Sequence, residues 1–246
     1  MPFDAYTRYY DLIYHDKDYE AEVDYIVDLL LSNGVTGHQI LEFGSGTGKH
    51  GRLLAQRGYQ VTGIERSAQM LSLSKQVPGF VCQQGDICNV DLGHTFDAVI
   101  SLFHVISYQL TNKSVSSVFA NAAEHLSTGG LFIFDVWYSP AVLTQRPVVR
   151  VKRFQDEKVC FTRIAEPTLY PNQNRVDVNY TIFAEDLLNG AIDTLSECHP
   201  MRHFSILELD HFANNVGLDL LSSEEFLTGE SPSEETWGIC LVFKKR

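Results

Sequence analysis

Residues 40–50, Ile-Leu-Glu-Phe-Gly-Ser-Gly-Thr-Gly-Lys-His, decide the fold of this chain. Ile40, Leu41 and Phe43 form a short apolar run of the kind that makes a strand buried on both faces. Glycines at 44, 46 and 48 follow at once. Glycine tolerates positive φ and lets the backbone approach a ligand closely. The next stretch, KHGRLLAQRG, has helical spacing and is stopped by Gly58. The segment therefore reads as strand, glycine turn, helix.

Outward from this unit the same alternation continues. YQVTGIE (59–65) is a short β-rich run. SAQMLSLSKQ (67–76) is helical, with Ser67 as N-cap. GFVCQQGD (79–86) and FDAVISLF (96–103) are further strands, Asn112 to Leu126 is a helix, and GGLFIFDVW (129–137) is a fifth strand. Upstream, Val23, Ile26, Val27 and Leu30 fall at helical spacing within 18–31. After Pro140 the pattern changes to polar-alternating β runs such as RVDVNYTIF, with turn signals at Asp156-Glu157, Pro171-Asn172 and Asn189-Gly190. The αβ rhythm resumes with SILELDHFANNVG, LDLLSSEEF and WGICLVFKK. The expectation is an α/β fold: a Rossmann-like, doubly wound, mostly parallel seven-stranded sheet with an inserted antiparallel β-sheet after the fifth strand. Residues 1–140 and 204–246 form the core, and 141–203 form an inserted lid or substrate subdomain. Ligands of such sheets bind at the carboxyl ends of the strands.

Bulk properties narrow the function. A formal charge of -12 over 246 residues repels a phosphate backbone, so nucleic acid is not an expected partner. Arg146, Arg150, Lys152 and Arg153 read as a solvated strand face. The five cysteines are widely spread without zinc-ligand spacing, so they read as buried thiols, and no metal is expected. No apolar stretch is long enough to cross a bilayer. The first twenty residues lack the basic start and apolar run of a secretory signal, which makes a cytoplasmic location the expectation.

The turn has its own chemistry. Dinucleotide enzymes favour G-x-G-x-x-G, whose third glycine would fall at Lys49. Glu42, two residues before Gly44, repels a pyrophosphate but attracts a cationic methionyl amino group, which favours S-adenosylmethionine over NAD. Glu65 ends the second strand, where such folds set an acid against ribose hydroxyls. Arg66 beside it suits a 2′-phosphate and keeps NADP open. Asp86 either accepts from an adenine amino group, with Ile87 packing on the ring, or closes an Asx turn. Leu102 and Phe103 pack beneath the ligand. His104 is either a base or a structural residue.

In order and over residues 38–137, ILEFGSGTGKH, GIERSAQML, QGDI, FDAVISLFHVISY and HLSTGGLFIFDVW resemble the class I S-adenosylmethionine-dependent methyltransferases. The resemblance implies that Glu42, Gly44, Ser45, Gly46, Gly48, Glu65, Arg66, Met70, Asp86, Ile87, Leu102 and Phe103 hold the cofactor, S-adenosylmethionine. Beyond the core, YYDLIYHDKDYEAEVDYI, WYSP, the β-rich insertion and the helix near Ser205 look like the bacterial N,N-dimethyltransferases that act on the amino group of nucleotide-linked deoxysugars. This finer resemblance implies a small-molecule substrate of nucleotide-sugar type. It puts Tyr10 and Tyr14 beside the reacting amine, with Tyr14 the first catalytic candidate; from its place after the fourth strand His104 is the second, and Tyr108, Trp137 and Tyr138 join the two tyrosines on the substrate side. The tyrosines also fit a segment packed over the core, and Trp137 and Tyr138 also fit a mere cover for the sheet. His199, Arg202 and His203 stand near the exit of the insertion and read either as pocket residues or as surface or structural ones. Two rival functions use the same fold, an NAD(P)-dependent oxidoreductase and a non-catalytic cofactor-binding module. The residues leave open the acceptor atom (nitrogen, oxygen or carbon) and the oligomeric state, a homodimer included.

Overall fold

A computed structural model describes residues 13–155 and 157–246. Tyr10 lies outside the described residues. The first helix, α1 (Tyr19–Ser32), starts at Asp18, whose carboxylate accepts from the Ala21 N–H, and it buries Val23, Ile26 and Leu30. There follow β1 (Gln39–Phe43), α2 (Lys49–Gln56), β2 (Gln60–Glu65), α3 (Ala68–Leu73), β3 (Phe80–Gln84), β4 (Phe96–Ser101), α4 (Asn112–His125) and β5 (Leu126–Trp137). A short α5 (Ser139–Thr144) leads into β6 (Arg150–Gln155), β7 (Val159–Tyr170), β8 (Arg175–Asp186) and β9 (Ile192–Arg202). The chain then makes α6 (Ile206–Asn214), β10 (Leu218–Glu225) and β11 (Gly238–Lys245).

The main sheet has seven strands in the order β10-β11-β5-β4-β1-β2-β3. β1 to β5 run parallel, whereas β11 lies antiparallel between β5 and β10. Strand order reverses between β1 and β4, which opens a crevice at their carboxyl ends. Phe119 on α4 packs against Phe132, Phe134, Phe212 and Phe243, and this aromatic group centres one face of the sheet. The fold is the Rossmann-like sheet with an antiparallel insertion after the fifth strand.

Local chemistry accounts for the departures from expectation. α3 stops at Leu73 because Ser74 turns extended (φ -70, ψ 127). Pro140 sits in the first turn of α5, where its missing N–H costs nothing, so a helix rather than a strand opens the insertion. Cys198 is exposed, on the outward side of β9, and Cys88 and Cys160 are only partly covered, so only Cys82 and Cys240 are the buried thiols expected. Lys152 is not merely solvated. Its ammonium donates to the Ile13 carbonyl at 2.8 Å and to Asp16 at 2.7 Å.

The four-stranded sheet β6-β7-β8-β9 docks by its inner face. Phe161, Ile182 and Ala184 enclose Ile13, while Ala165, Val176 and Val178 pack with Val142, Trp137 and Trp237. Arg202 and His203 fill the seam with the core rather than the crevice. Arg202 donates to Asn112 at 2.7 Å and pairs with Glu208, and His203 Nδ1 lies 2.7 Å from Ser139 Oγ. Burial, then the charge of Arg202, pushes His203 down to about 4, so it stays neutral at physiological pH. Among the described residues no helix is long and apolar enough to cross a membrane.

Replacing Phe119 by Ala should cost about 3–5 kcal/mol of unfolding free energy, since four rings lose their common partner surface. Urea denaturation followed by tryptophan fluorescence measures it.

Candidate functional site

The crevice is a cavity of about 550 Å³ whose walls come from the turns after β1 to β4, from β5 and from the inserted sheet. In the first turn Gly46 has φ +56 and open space where a Cβ would stand, so the backbone itself forms the floor. Gly48 serves another purpose. A Cβ there would meet the Phe80 ring at 2.6 Å, so this glycine seats the start of α2 and does not line the cavity.

Glu65 stands at the end of β2 with both oxygens engaged. Oε2 accepts from the Gly46 N–H at 2.9 Å and Oε1 from the Ser67 N–H at 2.7 Å. Burial raises its carboxyl, partly offset by these N–H donors. Each oxygen keeps a further lone pair for a ligand hydroxyl. Asp86 combines its two readings, because Oδ1 accepts from the Cys88 N–H at 2.9 Å in an Asx turn while the residue lines the cavity. Met70, Ile87 and Leu102 supply buried apolar wall, Ser45 and Gly44 continue the floor, and Arg66 stands exposed at the rim. An open glycine floor, two carboxylates and an apolar slot fit a nucleoside that carries a positive charge.

Glu42 is not where its charge was expected to act. It is 1% exposed and does not line the cavity, because α2 packs over it; a Cβ on Gly51 would lie 2.7 Å from its Oε2. Burial, then the charge of Glu65, pushes its carboxyl up to about 8. The wall position belongs to His50, whose Nδ1 is 3.8 Å from Glu42 and whose Nε2 is 2.7 Å from Glu22. Tyr138 also stays off the cavity, since its backbone pairs with Phe204 and its ring packs into the core.

The opposite half of the cavity is aromatic. Tyr14, Tyr108 and Trp137 line it as anticipated; Phe103, expected beneath the cofactor, stands with them, together with Tyr180 and His199 from the inserted sheet. The Tyr14 ring meets Phe103 edge-on at 4.9 Å. The Tyr108 hydroxyl lies 2.8 Å from His199 Nδ1, and His199 Nε2 lies 3.2 Å from Glu197. Phe103 and His104 both hold left-handed backbones, with φ of 68 and 61. His104 Nδ1 is 2.7 Å from Asp135 Oδ2, and the His104 N–H donates to Asp135 Oδ1 at 3.1 Å. Burial alone would raise the Asp135 carboxyl, but His104 and, farther off, Lys17 hold it below its usual range. Tyr19, His50, Asp135 and Tyr180 escaped the sequence reading. Only Tyr180 carried a signal there, the alternation with Val178 and Ile182.

A family model for a methyltransferase domain matches residues 40–130. A dTDP-3-amino-3,4,6-trideoxy-α-D-glucopyranose N,N-dimethyltransferase from Streptomyces venezuelae is 30% identical over 176 residues, which cover 70% of this chain and 74% of that one. Among solved structures, DesVI from Streptomyces venezuelae superposes with a TM-score of 0.83 at 24% identity over 98% of each chain. CalS10, an amino pentose methyltransferase from Micromonospora echinaspora solved with S-adenosylmethionine bound, gives a TM-score of 0.79 at 23% identity over 100% of this chain and 98% of that one.

Glu42 also makes stability depend on pH. Its folded-state value lies above the ordinary 4.5, so its contribution is complete below that pH and is lost as the pH climbs through about 8. Glu42→Gln stays neutral throughout. Its melting temperature should therefore gain on the wild type steadily from acidic to alkaline buffer, and a constant difference in thermal scans would contradict the assignment.

Proposed function

The chain belongs to the class I S-adenosylmethionine-dependent methyltransferases, and from that premise we propose that its acceptor is the amino group of a nucleotide-linked deoxysugar. One observation carries the proposal: a single cavity joins a carboxylate-lined half at the strand ends to a half walled by phenols, imidazoles and an indole. The name of the Streptomyces venezuelae relative supports the sugar amine. S-adenosylmethionine bound here would supply an electrophilic methyl group on a sulfonium.

The protein's own work is placement. Glu65 accepts from the ribose hydroxyls, and Asp86 accepts from the adenine amino group. Ile87, Met70 and Leu102 grip the base. The floor from Gly44 to Gly46 carries the methionyl end, with Arg66 at the open rim. Gly48 and Glu42 support this floor from behind. Tyr14 sits beside the acceptor, and Tyr108 and Trp137 shape its berth. Residues 141–203 act as a lid over the core made by 1–140 and 204–246, and their Tyr180 and His199 complete the wall and exclude water. Alignment of this kind supplies roughly 7–11 kcal/mol of a barrier.

Mass spectrometry of reactions with dTDP-linked amino sugars and their hydroxy counterparts tests the acceptor. An amino sugar should gain one or two methyl groups, and gain by the hydroxy sugars alone would overturn the proposal. The division of labour predicts that Glu65→Ala weakens S-adenosylmethionine binding by about 10-fold or more, the worth of charge-assisted hydrogen bonds. Tyr14→Phe should lower turnover and leave that affinity nearly unchanged. Calorimetry on both variants decides, and equal loss of affinity in the two would reject the assignment.

A further inference from the structure

We infer that His104 is the base that relieves the acceptor ammonium of its proton, and that Asp135 is the positioning residue that prepares it. The inference rests on the amine reading above and deepens it. An alkyl amine in neutral water is mostly an ammonium without a free lone pair, so it must lose a proton before it can attack. In that step the His104 Nε2 lone pair forms the new N–H bond, the electrons of the old N–H bond stay on the amine as its nucleophilic pair, and the imidazolium later releases the proton to water. A second methylation repeats the step on the secondary ammonium.

Geometry singles out His104. Among the described residues, four other than glycine have positive φ, and only Phe103 and His104 are adjacent and at the cavity. Such backbones persist when surrounding contacts over-determine them, and they cluster at functional sites. Asp135 provides that constraint from β5. One carboxylate oxygen takes the His104 backbone N–H and the other faces Nδ1. A carboxylate at Nδ1 keeps the hydrogen on that nitrogen and leaves Nε2 as the acceptor. The ring is 22% exposed and lines the cavity, while the carboxylate behind it is 1% exposed. The ring thus has a carboxylate behind it and the cavity in front.

The neighbouring groups agree with this assignment. The Lys17 ammonium lies 4.6 Å from the Phe103 ring centre and adds to the field that keeps Asp135 ionised. Cys240, opposite Asp135 in β11, has its thiol pushed up by burial and stays uncharged. The other imidazole of the acceptor half is less suited. His199 faces Tyr108 with one nitrogen and Glu197 with the other, and burial holds the Tyr108 phenol well above its ordinary range.

Two measurements test the dyad. In ¹⁵N-labelled protein without substrate, the His104 ring should show a protonated Nδ1 and an unprotonated Nε2, and Asp135→Asn should abolish that preference; a protonated Nε2 in the wild type would overturn the inference. For turnover the variant is His104→Asn, because asparagine accepts the left-handed backbone. With a dTDP-linked amino sugar, its kcat/KM should fall about 100-fold near neutrality and recover as alkaline buffer deprotonates the amine directly, while calorimetric affinity for S-adenosylhomocysteine stays unchanged. A deficit of equal size at every pH, or a parallel loss of affinity, would overturn the role. Failure of the wild type on every amino sugar would overturn the acceptor reading, and with it the proton transfer, whereas the tautomer would still report on the pairing of His104 with Asp135.

Discussion

The carboxylate of Glu65 ties the site together. It takes one N–H from the turn after β1 and one from the start of α3 after β2, so two neighbouring βα turns share a single anchor. Without it each turn would present unsatisfied donors near a buried space, a cost of about 1–3 kcal/mol apiece. With it, the floor at Gly46 and the wall from Glu65 to Met70 hold one relative position before any ligand arrives. Preorganisation of this kind is what a transfer reaction needs, because the catalyst's task is to fix two reactants in line.

The second structural idea is division by sheet. The parallel strands present their carboxyl ends and build the nucleoside half from backbone and carboxylates. The inserted sheet contributes Tyr180 and His199 to the other half and binds the segment around Ile13 through Lys152 and an apolar cluster. The acceptor half therefore depends on contacts of high sequence separation.

How much of this was legible in the sequence follows the range of the forces involved. The strand, glycine turn and helix around Gly44 to His50 are local chemistry, and so are the Ser67 cap and the Asp86 turn. Each could be read from its neighbours, and the parallel alternation followed from the repeated pattern. Glu42 was misplaced because its burial is set by α2 lying over β1, a packing event that alternation along β1 does not encode. Tyr138 was misplaced because Phe204, far along the chain, captures its backbone. The alternation of β8 says that Val178, Tyr180 and Ile182 share a face, but only docking decides that this face meets the crevice. Asp135 hid inside an apolar strand, where a lone acid carries no periodic signature and its partner, His104, comes from a different turn.

The most direct test of the central claim is a map of amide chemical shifts in labelled protein as S-adenosylmethionine is added. The account predicts that the changes concentrate at Gly44 to Thr47, at Glu65 to Ser67 and at Asp86 and Ile87. Unmoved signals there, with changes gathered on another surface, would contradict it.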